Sequence, residues 1–265
     1  MAAPEFTVES ADGTTIGVFV AGEGPALVMV HGSIADHTTF DDLVVQLAPT
    51  TTSYRMDRRG FGASGDADAY AIEREYEDVA AVVAAVVRRE EAPVALFGHS
   101  YGANCALGAA VAVDDVARLV LYEPSFGLTY PDGCIDTIEA ALDRGDRDAA
   151  IVEVLSTILE MTEADIDRYR RSPVWPERLR SAHTIPRECR VEQERSFDDA
   201  DWTVRCPTLV LTGSDTTDEL ATIARAAVGA VDGARLTVLD GQDHLAHRSS
   251  PQLVAEHIAA FLRGR

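Results

Sequence analysis

The chain has 265 residues, is 46% hydrophobic and carries a formal net charge of −21, and all 23 of its Lys and Arg positions are arginine. This composition excludes a disordered or fibrous protein, and the strongly acidic balance argues against nucleic acid or an anionic membrane surface as a partner. The apolar runs are shorter than the ~18 residues that a membrane span needs. We therefore expect a globular protein that has neither nucleic acid nor a membrane as its partner.

Short apolar runs recur along the chain and predict strands. The first two, at residues 5–9 and 15–20, flank Asp12-Gly13, and this arrangement predicts a hairpin. Later runs lack polar alternation, which is typical of strands that are covered on both faces in a parallel sheet. These runs lie at residues 26–30, 93–98, 116–122 and 207–212, followed by a more polar one at 234–239.

Segments with helical periodicity alternate with the strands, at residues 71–90, 102–113, 218–231 and 251–263. The alternation predicts βαβ units, an α/β fold and a mostly parallel central sheet flanked by helices. It is interrupted where three consecutive helices are predicted, at residues 133–143, 146–160 and 163–171. We expect residues 126–203 to form a helical cap over the carboxyl edge of the sheet, inserted between two strands. Residues 1–125 and 204–265 then form the core.

The segment Gly98-His99-Ser100-Tyr101-Gly102 lies where a predicted buried strand meets a predicted helix. A serine on such a turn projects its hydroxyl above the sheet, and the flanking glycines relieve crowding. The helix that follows directs backbone N–H groups and its positive dipole end towards a developing oxyanion. Ser100 is therefore the candidate nucleophile, and the N–H of Tyr101 is a candidate oxyanion donor. The second candidate donor is the N–H of Ser33, which follows the strand at 26–30.

The candidate base is His244, in a loop between the last predicted strand and the last predicted helix. A histidine on that loop can lie beside a serine above a central strand. His247, three residues further along, is the alternative. General-base catalysis requires a neutral imidazole, so activity is expected to fall at acid pH.

Several motifs together resemble the α/β-hydrolase superfamily, over nearly the whole chain. They are His31-Gly32, the segment 57–64 (DRRGFGAS), Gly98–Gly102, the segment 207–213 (PTLVLTG) and Gly241–His244. The resemblance implies an α/β-hydrolase fold with a helical cap, a serine nucleophile and a histidine base near the C-terminus. Asp57 begins the family's turn after a strand and is expected to shape the rim of the site without taking part in chemistry.

The acid of the catalytic triad is where this sequence departs from the family pattern. Many members carry an aspartate at the position of Thr216, whereas here the nearest carboxylates are Asp215 and Asp218. Some relatives, among them certain dehalogenases, take the acid from the end of the preceding strand, where this chain has Glu123. A carboxylate that ends a buried strand needs a partner, and the triad base is such a partner. We favour Glu123 and keep Asp215 as the alternative.

The resemblance implies a serine hydrolase with a small-molecule substrate. The enzyme is expected to cleave a small or medium carboxylic ester or lactone through an acyl-enzyme. Two alternatives stay open: a C–C bond hydrolase or cofactor-free haloperoxidase of the same fold, and a non-catalytic ligand-binding member. A serine at the turn argues against epoxide hydrolases and haloalkane dehalogenases, which use aspartate there. The sequence shows no phosphate loop, metal-ligand cluster or dinucleotide fingerprint, so neither a cofactor nor a metal is expected.

The cysteines and the N-terminal residues bear on the compartment. Cys105, Cys134, Cys189 and Cys206 show no Cys-x-x-Cys spacing, which favours free thiols over a disulfide framework or a metal site. The first residues show no basic region followed by an apolar one, as a signal peptide would. We therefore expect a cytoplasmic protein.

Overall fold

The computed structural model describes residues 3–264, in which eight strands form one sheet of order β1-β2-β4-β3-β5-β6-β7-β8. The pairs β1–β2 and β2–β4 are antiparallel, and every later pair is parallel. The mostly parallel sheet confirms the predicted fold class. The strands are β1 (Phe6–Glu9), β2 (Thr15–Ala21), β3 (Ala26–Val30), β4 (Thr52–Met56), β5 (Val94–His99), β6 (Val116–Tyr122), β7 (Thr208–Gly213) and β8 (Arg235–Leu239).

Helices lie on both faces of this sheet and in one long insertion between β6 and β7. They are α1 (Asp41–Leu47), α2 (Ile72–Glu90), α3 (Tyr101–Ala112), α4 (Cys134–Asp143), α5 (Arg147–Glu153), α6 (Glu163–Arg170), α7 (Trp175–Ser181), α8 (Ile185–Glu194), α9 (Asp218–Ala230), α10 (Ala246–Ser249) and α11 (Pro251–Leu262). A π-helical turn, Val154–Ile158, continues α5. No helix among residues 3–264 is long and apolar enough to cross a lipid bilayer.

The continuous apolar runs are explained by cover on both faces of the sheet. Along β3, which is buried over its whole length, Val28 and Val30 pack in the cluster that includes α2, α3 and α9. Leu27 and Met29 point to the opposite face and pack in the cluster that includes α1 and α11. Because neighbouring side chains of a strand alternate between faces, a strand between two helical layers has no polar side.

The helical insertion, residues 126–203, has its own apolar cluster, which includes Ile138, Ile151 and Trp175. The three helices that the periodicity predicts correspond to α4, to α5 with the π-helical turn, and to α6. Helices α7 and α8 were not predicted. Their buried faces carry Arg178 and Glu188, so an apolar stripe of helical period is missing from the sequence.

The prediction also missed β4 and α1. Strand β4 reads Thr-Ser-Tyr-Arg-Met, which is too polar to be recognised as a buried strand, although Ser53, Tyr54 and Met56 are buried in it. It lies between β2 and β3, so its polar backbone is fully paired in the sheet. All four cysteines are free thiols, as predicted.

Candidate active site

Ser100 lies at the sharp turn between β5 and α3, with φ 55° and ψ −128°. A non-glycine residue in this region costs about 1–3 kcal/mol and persists only when its surroundings impose it. Here the surroundings are tightly packed glycines. A Cβ on Gly98 would overlap the backbone of Gly102, and one on Gly102 would overlap the carbonyl of His31. The predicted strand–turn–helix geometry is therefore present, and the turn packs closely against the loop after β3.

Glu123 directly follows β6, and its side chain is fully buried. Its Oε2 lies 2.6 Å from Nδ1 of His244 and also accepts a hydrogen bond from the Thr216 hydroxyl at 3.1 Å. Its Oε1 accepts from the N–H of Gly213 at 2.8 Å and from the Thr212 hydroxyl at 3.0 Å. Burial by itself raises the pKa of this carboxyl, but the His244 interaction and the other hydrogen bonds outweigh burial and lower the pKa. Glu123 is thus an ionised, fully satisfied acceptor.

This carboxylate determines the tautomer of the imidazole. Because Glu123 can only accept at its ionised oxygens, Nδ1 of His244 carries the proton and Nε2 is left as the basic nitrogen. The His244 side chain is 28% exposed, so the imidazole is open to solvent on one side. The pair therefore has the arrangement of a base with its orienting acid.

Two residues that the sequence analysis did not use hold the loop that carries His244. The ring of His99 donates from Nε2 to the carbonyl of His244 at 2.9 Å, because a carbonyl oxygen can only accept. Burial lowers the pKa of His99 and keeps the ring neutral. The Tyr122 hydroxyl donates to the carbonyl of Asp243 and accepts from the N–H of Ala246. His99 directly precedes Ser100, and Tyr122 directly precedes Glu123. This adjacency in the chain is the signal by which the sequence analysis could have found them.

Ser100 and His244 are not hydrogen-bonded to each other, although the loop that carries His244 contacts the residue before Ser100. The carbonyl of His244 contacts the residue before Ser100, and the rings of His99 and His244 are 4.6 Å apart. Among residues 3–264, no side-chain hydrogen bond joins Ser100 to His244. Hydrogen bonds between nucleophile and base are often long without substrate and tighten when it binds.

The alternative site residues lie elsewhere. Asp215 is exposed, accepts a hydrogen bond from the Ser214 hydroxyl at 2.8 Å, and makes neither a hydrogen bond nor an ion pair with His244. His247 is fully buried against Thr39, and burial lowers its pKa to about 3. The structure thus brings Glu123, and not Asp215, to His244. Asp57 is fully buried and accepts hydrogen bonds that shape its own turn.

The loop after β3 places the N–H of Ser33 beside the serine turn. His31 donates from Nδ1 to the carbonyl of Gly32 at 2.8 Å, while its Nε2 accepts from the N–H of Arg58 at 3.0 Å. Burial, followed by the Arg58 charge, lowers the pKa of His31 to about 4, so the ring is neutral and this tautomer is retained. In a trans peptide the N–H and the C=O point in opposite directions. Because His31 holds the Gly32 carbonyl on one side of the peptide, the Ser33 N–H points to the other side.

The backbone N–H groups of Ser33 and Tyr101 belong to the segments on either side of Ser100. A Cβ on Gly32 would lie only 2.9 Å from Cβ of Ser100, which shows how closely the loop approaches. Within the described chain, the N–H of Ser33 donates to no backbone acceptor, and Tyr101 is the first residue of α3, where an N–H has no acceptor inside the helix. Free N–H groups beside a serine can stabilise a developing oxyanion.

A mostly parallel sheet with a serine at a strand-to-helix turn and a carboxylate–histidine pair at the neighbouring strand ends is the architecture of the α/β hydrolases. The family model described as the alpha/beta hydrolase family matches residues 27–257, and the chain belongs to that family. The family and fold predicted from the motifs are confirmed.

Similar proteins agree with this assignment. The chain is 24% identical over 260 residues to the (E)-2-((N-methylformamido)methylene)succinate hydrolase of Acinetobacter baylyi, with 97% of each chain covered. An alpha/beta hydrolase structure from Sphaerobacter thermophilus matches with a TM-score of 0.81 and 28% identity, over 97% of this chain and 100% of that one. The enol-lactonase of Burkholderia xenovorans LB400 matches with a TM-score of 0.76 and 18% identity, over 97% and 100%, and shares the fold.

Proposed function

We propose that this protein is a serine hydrolase that cleaves small or medium carboxylic esters or lactones through an acyl-enzyme on Ser100. The observation that carries the proposal is the 2.6 Å hydrogen bond between Glu123 and His244, at the strand ends next to a strained serine. A buried carboxylate that holds one imidazole tautomer beside a serine is the arrangement that orients a catalytic base and stabilises its charged form.

Each residue has a role that follows from its position. His244 Nε2 accepts the proton of Ser100 as the serine oxygen attacks the substrate carbonyl, and Glu123 stabilises the imidazolium that forms. The N–H groups of Ser33 and Tyr101 stabilise the oxyanion. His244 then protonates the leaving alkoxide, which leaves an acyl ester on Ser100. A water molecule, deprotonated by the same imidazole, hydrolyses that ester and restores the serine hydroxyl.

The helical insertion, residues 126–203, serves as the cap in this proposal, and residues 1–125 with 204–265 form the hydrolase core. Two buried ion pairs support the close seating of the cap: Arg178 of α7 with Asp36 at 3.1 Å, and Glu188 of α8 with Arg58. Asp36 and Arg58 follow β3 and β4, so the cap contacts the core beside the loop that carries Ser33. Free thiols favour a reducing compartment, and we place the protein in the cytoplasm.

The test combines covalent labelling with a substrate panel. A fluorophosphonate probe should label the wild type and not Ser100→Ala, because the probe reacts with an activated serine. A panel of p-nitrophenyl esters and lactones should be turned over by the wild type, with turnover abolished in Ser100→Ala. The control is Ser249→Ala, which removes an exposed hydroxyl and should change neither readout. Absence of wild-type labelling, or labelling that survives in Ser100→Ala, would refute the proposal and favour a binding protein.

A further inference from the structure

Arg58 contacts both of the segments that carry the candidate oxyanion donors, and its side chain is fully buried. Its backbone N–H donates to Nε2 of His31 at 3.0 Å, and its Nη1 donates to the His31 carbonyl at 3.5 Å. His31 begins the loop that carries Ser33. The Arg58 guanidinium also lies 4.5 Å from the centre of the ring of Tyr101, the residue after Ser100. The position of this one side chain therefore bears on both sides of the nucleophile.

The guanidinium is held by two buried carboxyls, one from the core and one from the cap. Glu75 of α2 accepts from Nε at 2.7 Å and from Nη2 at 2.8 Å. Glu75 is fixed further by the Tyr70 hydroxyl, which donates to its Oε1 at 2.8 Å. The second acceptor of Nη2 is Oε1 of Glu188, on α8. Because both carboxyl side chains are only 1% exposed, these contacts are formed out of reach of solvent.

Glu188 also faces Ser33 itself. Burial raises the pKa of Glu188, and the Arg58 charge and a hydrogen bond from the Ser33 hydroxyl oppose that increase. A Cβ on the neighbouring Gly32 would lie 2.9 Å from Cβ of Ser100. The loop therefore has its backbone against the nucleophile, while the Ser33 side chain lies against the cap.

Removing the cap carboxyl would free the guanidinium to move. One N–H of Nη2 would be buried without an acceptor, and such a donor destabilises the arrangement that leaves it unpaired. The guanidinium would then turn towards another oxygen and away from its contacts with His31 and Tyr101. Glu75 would still bind Arg58, so the buried charge would stay paired.

We propose that Glu188 of the cap is a positioning residue for the oxyanion hole. Through Arg58 and the Ser33 hydroxyl it fixes the loop that carries the Ser33 N–H, and Arg58 in turn fixes the first turn of α3. This inference rests on the proposed function, in which the N–H groups of Ser33 and Tyr101 stabilise the oxyanion. Because these donors act on a charge that develops in the transition state, Glu188 should affect kcat and not KM.

The experiment compares kcat and KM for p-nitrophenyl butyrate in variants of Glu188. Glu188→Leu removes both contacts and should lower kcat by about 10- to 100-fold with little change in KM, since a shift of about 1 Å can cost about 10² in rate. Glu188→Gln should restore most of the turnover, because its amide oxygen can still accept from Arg58. Glu188→Asp draws the carboxyl back by one methylene and should resemble Glu188→Leu, so it serves as the test if Glu188→Leu does not fold.

The matched control is Glu192→Leu, one helical turn further along α8. Glu192 is also buried, but its carboxyl accepts from the Tyr130 hydroxyl instead of from Arg58. Its removal should leave kcat at the wild-type value. Glu194→Gln removes an exposed carboxyl from the same helix and should do the same. An equal loss of kcat in Glu188→Leu and Glu192→Leu would overturn the positioning role, because the loss would then follow from cap stability.

Inhibition by 1,1,1-trifluoroheptan-2-one separates positioning from stability. Ser100 adds to its carbonyl carbon, the serine proton passes to His244, and the ketone oxygen becomes an oxyanion. Its Ki should rise by about 10- to 100-fold in Glu188→Leu, whereas the Ki of heptan-2-ol, which forms no oxyanion, should stay within about twofold. An unchanged kcat and an unchanged Ki of the ketone in Glu188→Leu would overturn the positioning role, and fluorophosphonate labelling of the wild type would show that the hydrolase proposal still holds. Absence of that labelling would refute the hydrolase proposal itself.

Discussion

Replacing Glu123 by glutamine tests the assignment of the acid most directly. The glutamine amide has nearly the same shape, and its oxygen can still accept from Gly213 and Thr212 at the position of Oε1. Its NH₂ group then takes the position of Oε2 and points a donor at Nδ1 of His244. Nδ1 must become an acceptor, so the proton moves to Nε2, the nitrogen that should accept the proton of Ser100.

The magnitude follows from the geometry. The carboxylate and imidazolium form a charge-assisted hydrogen bond of 2.6 Å. With their charge centres about 4 Å apart, the two ions interact by about 4 kcal/mol at an effective dielectric constant of 20, which corresponds to a factor of about 10³ in rate. The wrong tautomer adds to this loss, whereas the 28% exposure of His244 reduces it by solvent screening. We expect kcat to fall by about 10³–10⁴.

The assay is kcat and KM for a p-nitrophenyl ester, with the thermal midpoint of unfolding recorded to show that Glu123→Gln is folded. KM should change little, because the substitution removes an interaction that develops only in the transition state. The matched control is Asp215→Asn, an exposed carboxylate that contacts Ser214 and not His244. A large loss in Asp215→Asn together with near-normal turnover in Glu123→Gln would refute the assignment.

Three further perturbations test the packing around the site. Gly32→Ala should lower stability by about 1–3 kcal/mol and reduce turnover, because its Cβ would lie 2.9 Å from Cβ of Ser100. Arg178→Met should destabilise the protein by about 3–5 kcal/mol, because it leaves the buried Asp36 carboxylate unpaired. Burial raises the pKa of Glu192 to about 7, so the folded state binds a proton that the unfolded state releases above its ordinary pKa of 4.5. Stability should therefore fall by roughly 3 kcal/mol between pH 4.5 and 7, and Glu192→Gln should remove that fall.

The free energy of unfolding is measured by denaturant unfolding, and each variant has a matched control. Gly229 lies in α9 with open space around it, so Gly229→Ala should be neutral or stabilising by about 0.4–1 kcal/mol. Arg168 is 74% exposed, so Arg168→Met should cost less than about 1 kcal/mol. Glu194→Gln should leave the pH dependence unchanged. Equal effects in a variant and its control would contradict the burial argument for that position.

The sequence alone predicts the elements whose signals are local. The run at residues 93–98, the glycines around Ser100 and the helix that follows specify a strand, a tight turn and a helix within about 20 residues of chain. The loop that carries His244 is predicted in the same way, from a final strand followed by a helix. The covered strands of the sheet are also recognisable, because burial on both faces removes polar residues from the run.

The sequence does not predict elements in which polar residues are buried. Helix α8 has a polar sequence, and its buried Glu188 is paired with a residue far away along the chain. Arg58 and Glu188, for example, are 130 residues apart and form one buried ion pair. A charged residue carries no sign in the sequence that it will be buried, since burial depends on where the partner is placed.

Which of Glu123 and Asp215 contacts His244 also depends on the tertiary structure. Both carboxylates follow strands that end at the same edge of the sheet, so chain position left both open. Only the tertiary structure orients Glu123 into the buried space between Gly213 and His244 and leaves Asp215 in solvent. The sequence determined which residues could act and near which strand ends they lie. The packing of distant segments determined which of them meet, because burial and hydrogen-bonding distance depend on the whole fold.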